Sequence, residues 1–335
     1  MIRRIKTIDA HVAGEPLRLI VDGFPIPIGA TMLDKRAWVR KRRDKFRRAL
    51  MREPRGHADM YGAVLTDPVV PESHAGVLFM HNEGYSTMCG HGVIAVVTIA
   101  LEHKLLDISD VTGELSLDTP AGTVRARPTV SGAGKVEHVS FTNVPSFVLH
   151  AGLPIPINDR VVPVDVAFGG AFYAIVDTEA VGVPLGVGAV ERLRSLGTTI
   201  RRAVEKAADV VHPTESGLAG IYGTIFTGIP EQEGADLRSV TVFADAQVDR
   251  SPCGTGTAAV MAVLDAMGVL GDDGHFVHES LIGTTFSGTV EARTTVGGLP
   301  ALVPRIEGSA WITGMHEFVI DDDDPLREGF LLGHI

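Results

Sequence analysis

Little in this chain is suited to stapling, to crossing a bilayer or to gripping a polyanion. Cysteine occurs twice in 335 residues, too few for a disulfide framework or a four-cysteine zinc site. Each of the two has to be read on its own. No uninterrupted apolar stretch approaches the roughly 20 residues of a membrane-spanning helix, so a transmembrane reading fails. The N-terminus, MIRRIKTIDAHVAGEP, is basic but lacks the apolar run of a signal peptide, which makes the cytoplasm the expected compartment. Basic residues are in deficit, 30 Lys and Arg against 41 Asp and Glu, and the net charge of −11 repels nucleic acid and anionic membranes. The expected partner is a small molecule.

What is present describes a packed protein. Apolar residues make up 45% of the chain and charged residues 21%, outside the disordered class, and the length suits two domains. Short runs rich in Val, Ile and Phe, bounded by 38 glycines and 19 prolines, read as strands joined by turns. Leu17 to Val21, Val77 to Met80, Val136 to Phe141, Ala174 to Val176 and Val240 to Phe243 are examples. Helix candidates are fewer: the runs after each cysteine, an amphipathic segment over Val190 to Ala208, and a basic stretch from Arg36 to Arg48. In the basic stretch Trp38, Val39, Phe46 and Leu50 recur at helical spacing, predicting a solvated helix face. The acidic run Asp321 to Asp324 reads as a solvated turn. The fold class is a strand-rich α/β or α+β protein.

One internal similarity outweighs the rest. Cys89 opens CGHGVIAVVTIAL and Cys253 opens CGTGTAAVMAVL, so Cys-Gly-x-Gly precedes a continuously apolar run twice, about half the chain apart. The chain reads as a duplication, each half wrapped around a helix buried on all sides. The first amides of a helix are unpaired and carry partial positive charge, which binds anions and favours a thiolate. A thiol pKa of about 8.5 is expected to fall in that setting, and the glycines let a carboxylate approach the amides. Set face to face, the two motifs can hold a carboxylate while its Cα lies between two sulfurs. One thiolate takes the α-proton, the opposite thiol delivers another, and the configuration inverts. That chemistry requires neither metal nor organic cofactor. The plain alternative, two inert core cysteines, sits poorly with a repeated Cys-Gly-x-Gly, and a disulfide between them in a cytosolic protein would be transient.

Around the motifs, His91 reads as a ligand-contacting donor or a satisfied polar residue, and Asp249 as an anion for a substrate ammonium or an ordinary turn aspartate with Arg250 as its salt-bridge partner. His57 and Asp59 form a polar cluster to which spacing alone assigns no role.

At AHVAGEP, RGHADMYG, MCGHG, DTPAG, FGGAFYAIV, DRSPCGTGT, IGTTFSG and DPLREGF the chain resembles the proline racemase family, which includes hydroxyproline epimerases and trans-3-hydroxyproline dehydratases. The likeness runs over essentially the whole chain. It implies a diaminopimelate epimerase-like fold of two pseudo-symmetric barrel-like domains, each around a central helix, and a homodimer. The domains expected from it are 1–125 with 306–335, carrying Cys89, and 126–305, carrying Cys253, with the active site in the cleft between them. By resemblance the catalytic pair falls on Cys89 and Cys253, the carboxylate-binding backbone on Gly90, His91, Gly254 and Thr255, the amine-binding acid on Asp249, and a residue packing on the substrate ring on Phe243.

The expected activity is inversion at Cα of proline or a hydroxyproline. The dehydratase branch has threonine where this chain has Cys253, yet EPRGHADMYGAVL, HNEGYSTMCGH, GIYGTIFTG, FADAQVDRSP and DDDDPLREGFLL look more like that branch. A lyase acting on trans-3-hydroxy-L-proline through Cys89 is therefore the alternative. A non-catalytic imino-acid-binding protein is the remote one.

Overall fold

The computed structural model describes residues 2–106, 113–244, 246–271 and 274–332. In chain order the elements are β1 (Ile2–Val12), β2 (Glu15–Asp22), α1 (Met32–Arg42), α2 (Asp44–Met51), β3 (Tyr61–Thr66), β4 (Ala75–His81), α3 (Gly90–Glu102), β5 (Leu115–Thr119), β6 (Gly122–Val130) and β7 (Val136–Thr142). Then follow β8 (Ser146–Ile157), β9 (Arg160–Phe168), β10 (Phe172–Asp177), α4 (Thr178–Val181), α5 (Val190–Ala207), β11 (Ile221–Gly228), β12 (Leu237–Phe243), β13 (Gln247–Val248), α6 (Gly254–Met267), β14 (His275–Ser280), β15 (Thr285–Val296), β16 (Leu299–Gly308) and β17 (Ala310–Asp321). All five strand segments picked from the sequence lie inside strands. None of the described helices is long and apolar enough to cross a membrane.

The chain divides into two compact units, Met1–Phe141 with Ser309–Ile335, and Thr142–Gly308. The first boundary falls after 141 rather than 125. The reason is pairing: β6 forms an antiparallel hairpin with β5, Leu115 opposite Ala126, so a cut at 125 would split one ladder. The second falls after 308 rather than 305, because β16 continues past 305 and pairs with β15 as far as Glu307.

In the first unit the strands pair in the order β17, β1, β2, β3, β4, β5, β6. This ladder curls around α3, which touches β17 at one end and β6 at the other. The second unit closes completely: β8, β9, β10, β11, β12, β14, β15 and β16 pair in turn, and β16 returns to β8. Its central helix is α6, which packs on β8, β9, β10, β15 and β16. The two parallel pairs of each unit are bridged by helices, as parallel strands require: β2 to β3 by α1 and α2, β4 to β5 by α3, β10 to β11 by α5, β12 to β14 by α6. The duplication read from the two motifs is thus a repeated strand order as well.

Burial explains why the central segments are helices. Residues Gly90 to Ala100 of α3 are all buried, although Val93, Ile94, Val96, Val97 and Ile99 are β-branched. Their propensity penalty, under about 0.7 kcal/mol each, is small beside the roughly 1.5–3 kcal/mol for burying each side chain. The expectation of burial on all sides needs correcting for α6, which is buried from Gly254 to Val263 and then emerges, leaving Met267 65% exposed.

The basic stretch also differs from expectation. It is two helices, because Arg43 (φ −135°, ψ 10°) interrupts the run. A Thr31–Asp34 capping box starts α1. Nor is the face wholly solvated: Lys35 is buried and donates to the Asp67 carbonyl at 2.5 Å, and buried Arg47 donates to the carbonyls of His81, at 2.8 Å, and Asn82. The helix over Val190–Ala207 is amphipathic as predicted, burying Leu193, Gly197, Ile200 and Val204.

Candidate active site

Cys89 is the N-cap of α3, in extended backbone (φ −147°, ψ 111°), and its Sγ accepts the Gly92 N–H at 3.2 Å. Gly92 has to be glycine: a Cβ there would lie 2.5 Å from the Phe79 ring and 2.8 Å from Sγ. The amides of Gly90 and His91, ahead of the first intrahelical bond, take no acceptor among the described residues. The His91 side chain turns back on the cysteine, Nδ1 3.3 Å from Sγ, with its ring edge-on to Tyr61 at 4.9 Å. Burial pushes His91 down to about 3 despite its bond to the Pro16 carbonyl. It is therefore neutral near pH 7, with one ring nitrogen carrying hydrogen and the other an acceptor.

Cys253 heads α6 in a different backbone, φ 67° and ψ 106°, a region that non-glycine residues occupy at about 1–3 kcal/mol of strain. Hydrogen bonds hold it on both sides. Its N–H donates to Ser251 Oγ at 3.1 Å, and its carbonyl accepts from the Thr257 N–H at 2.7 Å and the Thr257 hydroxyl at 2.8 Å. Buried Asp249 organises the turn, accepting the Ser251 hydroxyl at 2.7 Å and the Ser251 N–H at 2.8 Å through Oδ1. The turn reading of Asp249 is thus correct as geometry. Burial pushes Asp249 up to about 6, with Ser251, Cys253 and the Arg250 charge pulling the other way. Arg250 itself donates to the Val248 carbonyl at 3.0 Å.

The expected lowering of both thiols does not hold at Cys253. Burial, with the Asp249 charge adding to it, pushes this thiol up to about 12, although Tyr173, the Gly256 amide and Thr255 act against it. Desolvation outweighs the helix terminus here.

Sequence reasoning missed Tyr173 and Tyr222 in the surroundings of Cys253. Tyr173 OH lies 2.6 Å from Thr255 Oγ1 and 3.6 Å from Cys253 Sγ. Phe243 stacks on Tyr222 at 5.5 Å, and Tyr222 meets Tyr173 edge-on at 5.9 Å, so Phe243 ends an aromatic row leading to the cysteine. FGGAFYAIV and GIYG contain these tyrosines, but neither segment carries a spacing that announces a role. The FGGAF segment also seats the helix. A Cβ on Gly169 would lie 2.2 Å from the Thr255 carbonyl and 2.6 Å from the Ala259 nitrogen. Gly169→Ala is expected to destabilise the protein by about 3 kcal/mol and lower the thermal midpoint by roughly 6–12 °C. An unchanged melting curve would show that α6 can shift freely.

His57 is exposed while Asp59 is buried with φ 63°. A groove of about 580 Å³ beside α5 is lined by Asn158, Arg160, Val181, Ser195 and Thr199 and contains no motif residue. Among the described residues no group of three or more His, Cys, Asp or Glu side chains is placed to hold a metal ion.

The proline racemase family model matches residues 7–331. The chain belongs to the proline racemase family. It is 49% identical over 327 residues to a trans-3-hydroxy-L-proline dehydratase of Bacillus cereus, covering 98% of both chains. It is 42% identical over 334 residues to a 3-hydroxyproline 2-epimerase of Burkholderia multivorans, again covering 98% of each. Its fold superposes with a TM-score of 0.91 on the crystal structure of a hydroxyproline epimerase from Agrobacterium vitis with bound trans-4-hydroxy-L-proline, at 30% identity, covering 98% of this chain and 95% of that one. Relatives named as dehydratases span 42–49% identity and one named as an epimerase stands at 42%. Overall likeness leans towards the dehydratase name, while at 42% identity both names occur, so the discrimination falls to individual site residues.

Proposed function

We propose that this family member is a 3-hydroxyproline 2-epimerase in which Cys89 and Cys253 work on opposite faces of Cα. The observation that carries it is Cys253: a second buried thiol at the head of a second central helix, repeating the setting of Cys89. Relatives at 42–49% identity bear names that include 3-hydroxyproline, which supports that substrate.

In this reading the substrate carboxylate takes the amides of Gly90, His91, Gly254 and Thr255, and Asp249 takes the ring ammonium. Binding the carboxylate to helix N-termini stabilises the charge that spreads into it when Cα loses its proton. Cys89, its sulfur already accepting the Gly92 N–H, acts as thiolate and removes the proton. Cys253, which burial and Asp249 keep protonated, delivers a proton to the other face. The reverse reaction exchanges the roles. Phe243 borders the ring.

In heavy water, trans-3-hydroxy-L-proline should yield cis-3-hydroxy-D-proline carrying deuterium at Cα, read by chiral chromatography and mass spectrometry. No inversion with any proline derivative sinks the proposal. The second reading, dehydration of trans-3-hydroxy-L-proline, is favoured by the name of the Bacillus cereus relative. It predicts a pyrroline carboxylate as the sole product.

A further inference from the structure

We propose that Tyr173 is a positioning residue for Cys253: its hydroxyl, paired with that of Thr255, donates a hydrogen bond to the sulfur when the thiol gives up its proton, offsets the negative charge left there, and so sustains inversion. The inference rests on the two-thiol reading above. It concerns a residue to which the motifs assign no part.

Tyr173 projects from β10 with no exposed surface, and buried tyrosine hydroxyls need a partner. Its partner is Thr255 Oγ1 at 2.6 Å, and both oxygens face the Cys253 sulfur, at 3.6 Å and 3.8 Å. Two hydroxyls this close share one hydrogen between them, which leaves the second hydrogen for a third acceptor. The sulfur is the acceptor within reach of either oxygen. Burial holds the Tyr173 phenol well above 10, so it remains a donor at neutral pH.

Asp249 acts differently on the two protonation states of Cys253: with burial, its charge favours the neutral thiol. When the S–H bond breaks and the new Cα–H bond forms, the electron pair stays on sulfur, and that thiolate is buried beside an aspartate. The hydroxyl pair and the Gly256 amide are the groups that offset the charge. The Tyr222 ring, edge-on at 5.9 Å, steadies the Tyr173 ring. Phenylalanine fits the same packing and lacks only the oxygen.

The test is Tyr173→Phe in the full chain, assayed with trans-3-hydroxy-L-proline in heavy water. Inversion should fall about 100-fold, the scale of losing one donor to a developing anion. Deuterium exchange at Cα with configuration retained, which Cys89 performs alone, should stay within about threefold of the parent. Equal loss of both reactions would mark Tyr173 as merely structural and overturn the inference, as would unchanged inversion. Cys253→Ser separates the two levels of argument. If it inverts at the parent rate, or if the parent itself does not invert, the two-thiol reading fails and this inference with it. If it loses inversion while Tyr173→Phe keeps it, only the role of Tyr173 fails.

Discussion

Cys89→Ser is expected to abolish inversion and elimination together, lowering kcat by about 10²- to 10⁴-fold, the usual contribution of a positioned general base. Both reactions begin with removal of the Cα proton, and a serine hydroxyl is too weak an acid to supply an alkoxide near neutral pH. His91 does not take over the role. Although Nδ1 stands 3.3 Å from Sγ, burial keeps the imidazole pushed down to about 3, a far weaker base than a thiolate. The same neutrality means that the thiolate draws its stabilisation from the α3 amides, Gly92 foremost, rather than from an imidazolium. Folding should survive, since serine is among the preferred N-cap residues and can accept the same amide. The measurement is kcat for both products alongside the thermal midpoint. A stable Cys89→Ser protein retaining more than about a tenth of either activity places the base elsewhere.

The sequence was most informative where one local signal and one global demand agree. Cys-Gly-x-Gly ahead of an unbroken apolar run requires a helix with no polar side, and a barrel-like sheet is what can surround it. Both central helices and the duplication were therefore legible. The domain boundary was not, because β5 and β6 meet in a hairpin whose register depends on pairing that no single residue near 125 reveals. Arg43 breaks the basic segment through its backbone angles, while side-chain periodicity continues across it. The thiol acidity of Cys253 was misjudged for a related reason. A helix N-terminus is visible in a motif, but the desolvation of the sulfur, which outweighs it, depends on strands remote in sequence. Tyr173, 80 residues before Cys253, reaches the sulfur only because the barrel brings β10 alongside α6.

Cys253→Ser is expected to divide the two chemistries, removing inversion by roughly 10³-fold while leaving any elimination from trans-3-hydroxy-L-proline close to the parent level. The stereochemistry of the substrate dictates the split. With hydroxyl and carboxylate on opposite faces of the ring, the Cα hydrogen lies on the same face as the hydroxyl. A base that removes this hydrogen already stands beside the leaving oxygen and can return the proton to it. The Cα–H and Cβ–O bonds break, a double bond forms between the two carbons, and water departs without any group on the far face. The resulting enamine then tautomerises to the pyrroline. Inversion has no such economy, because the new proton has to arrive from the side opposite Cys89. A threonine at 253 would make the same chemical point less cleanly, since a β-branched residue at φ 67° adds backbone strain. Chiral analysis of the product alongside pyrroline formation checks the prediction. Inversion near the parent rate would assign the second proton donor to another residue, whereas loss of elimination as well would mean that the hydroxyl draws its proton from the Cys253 side.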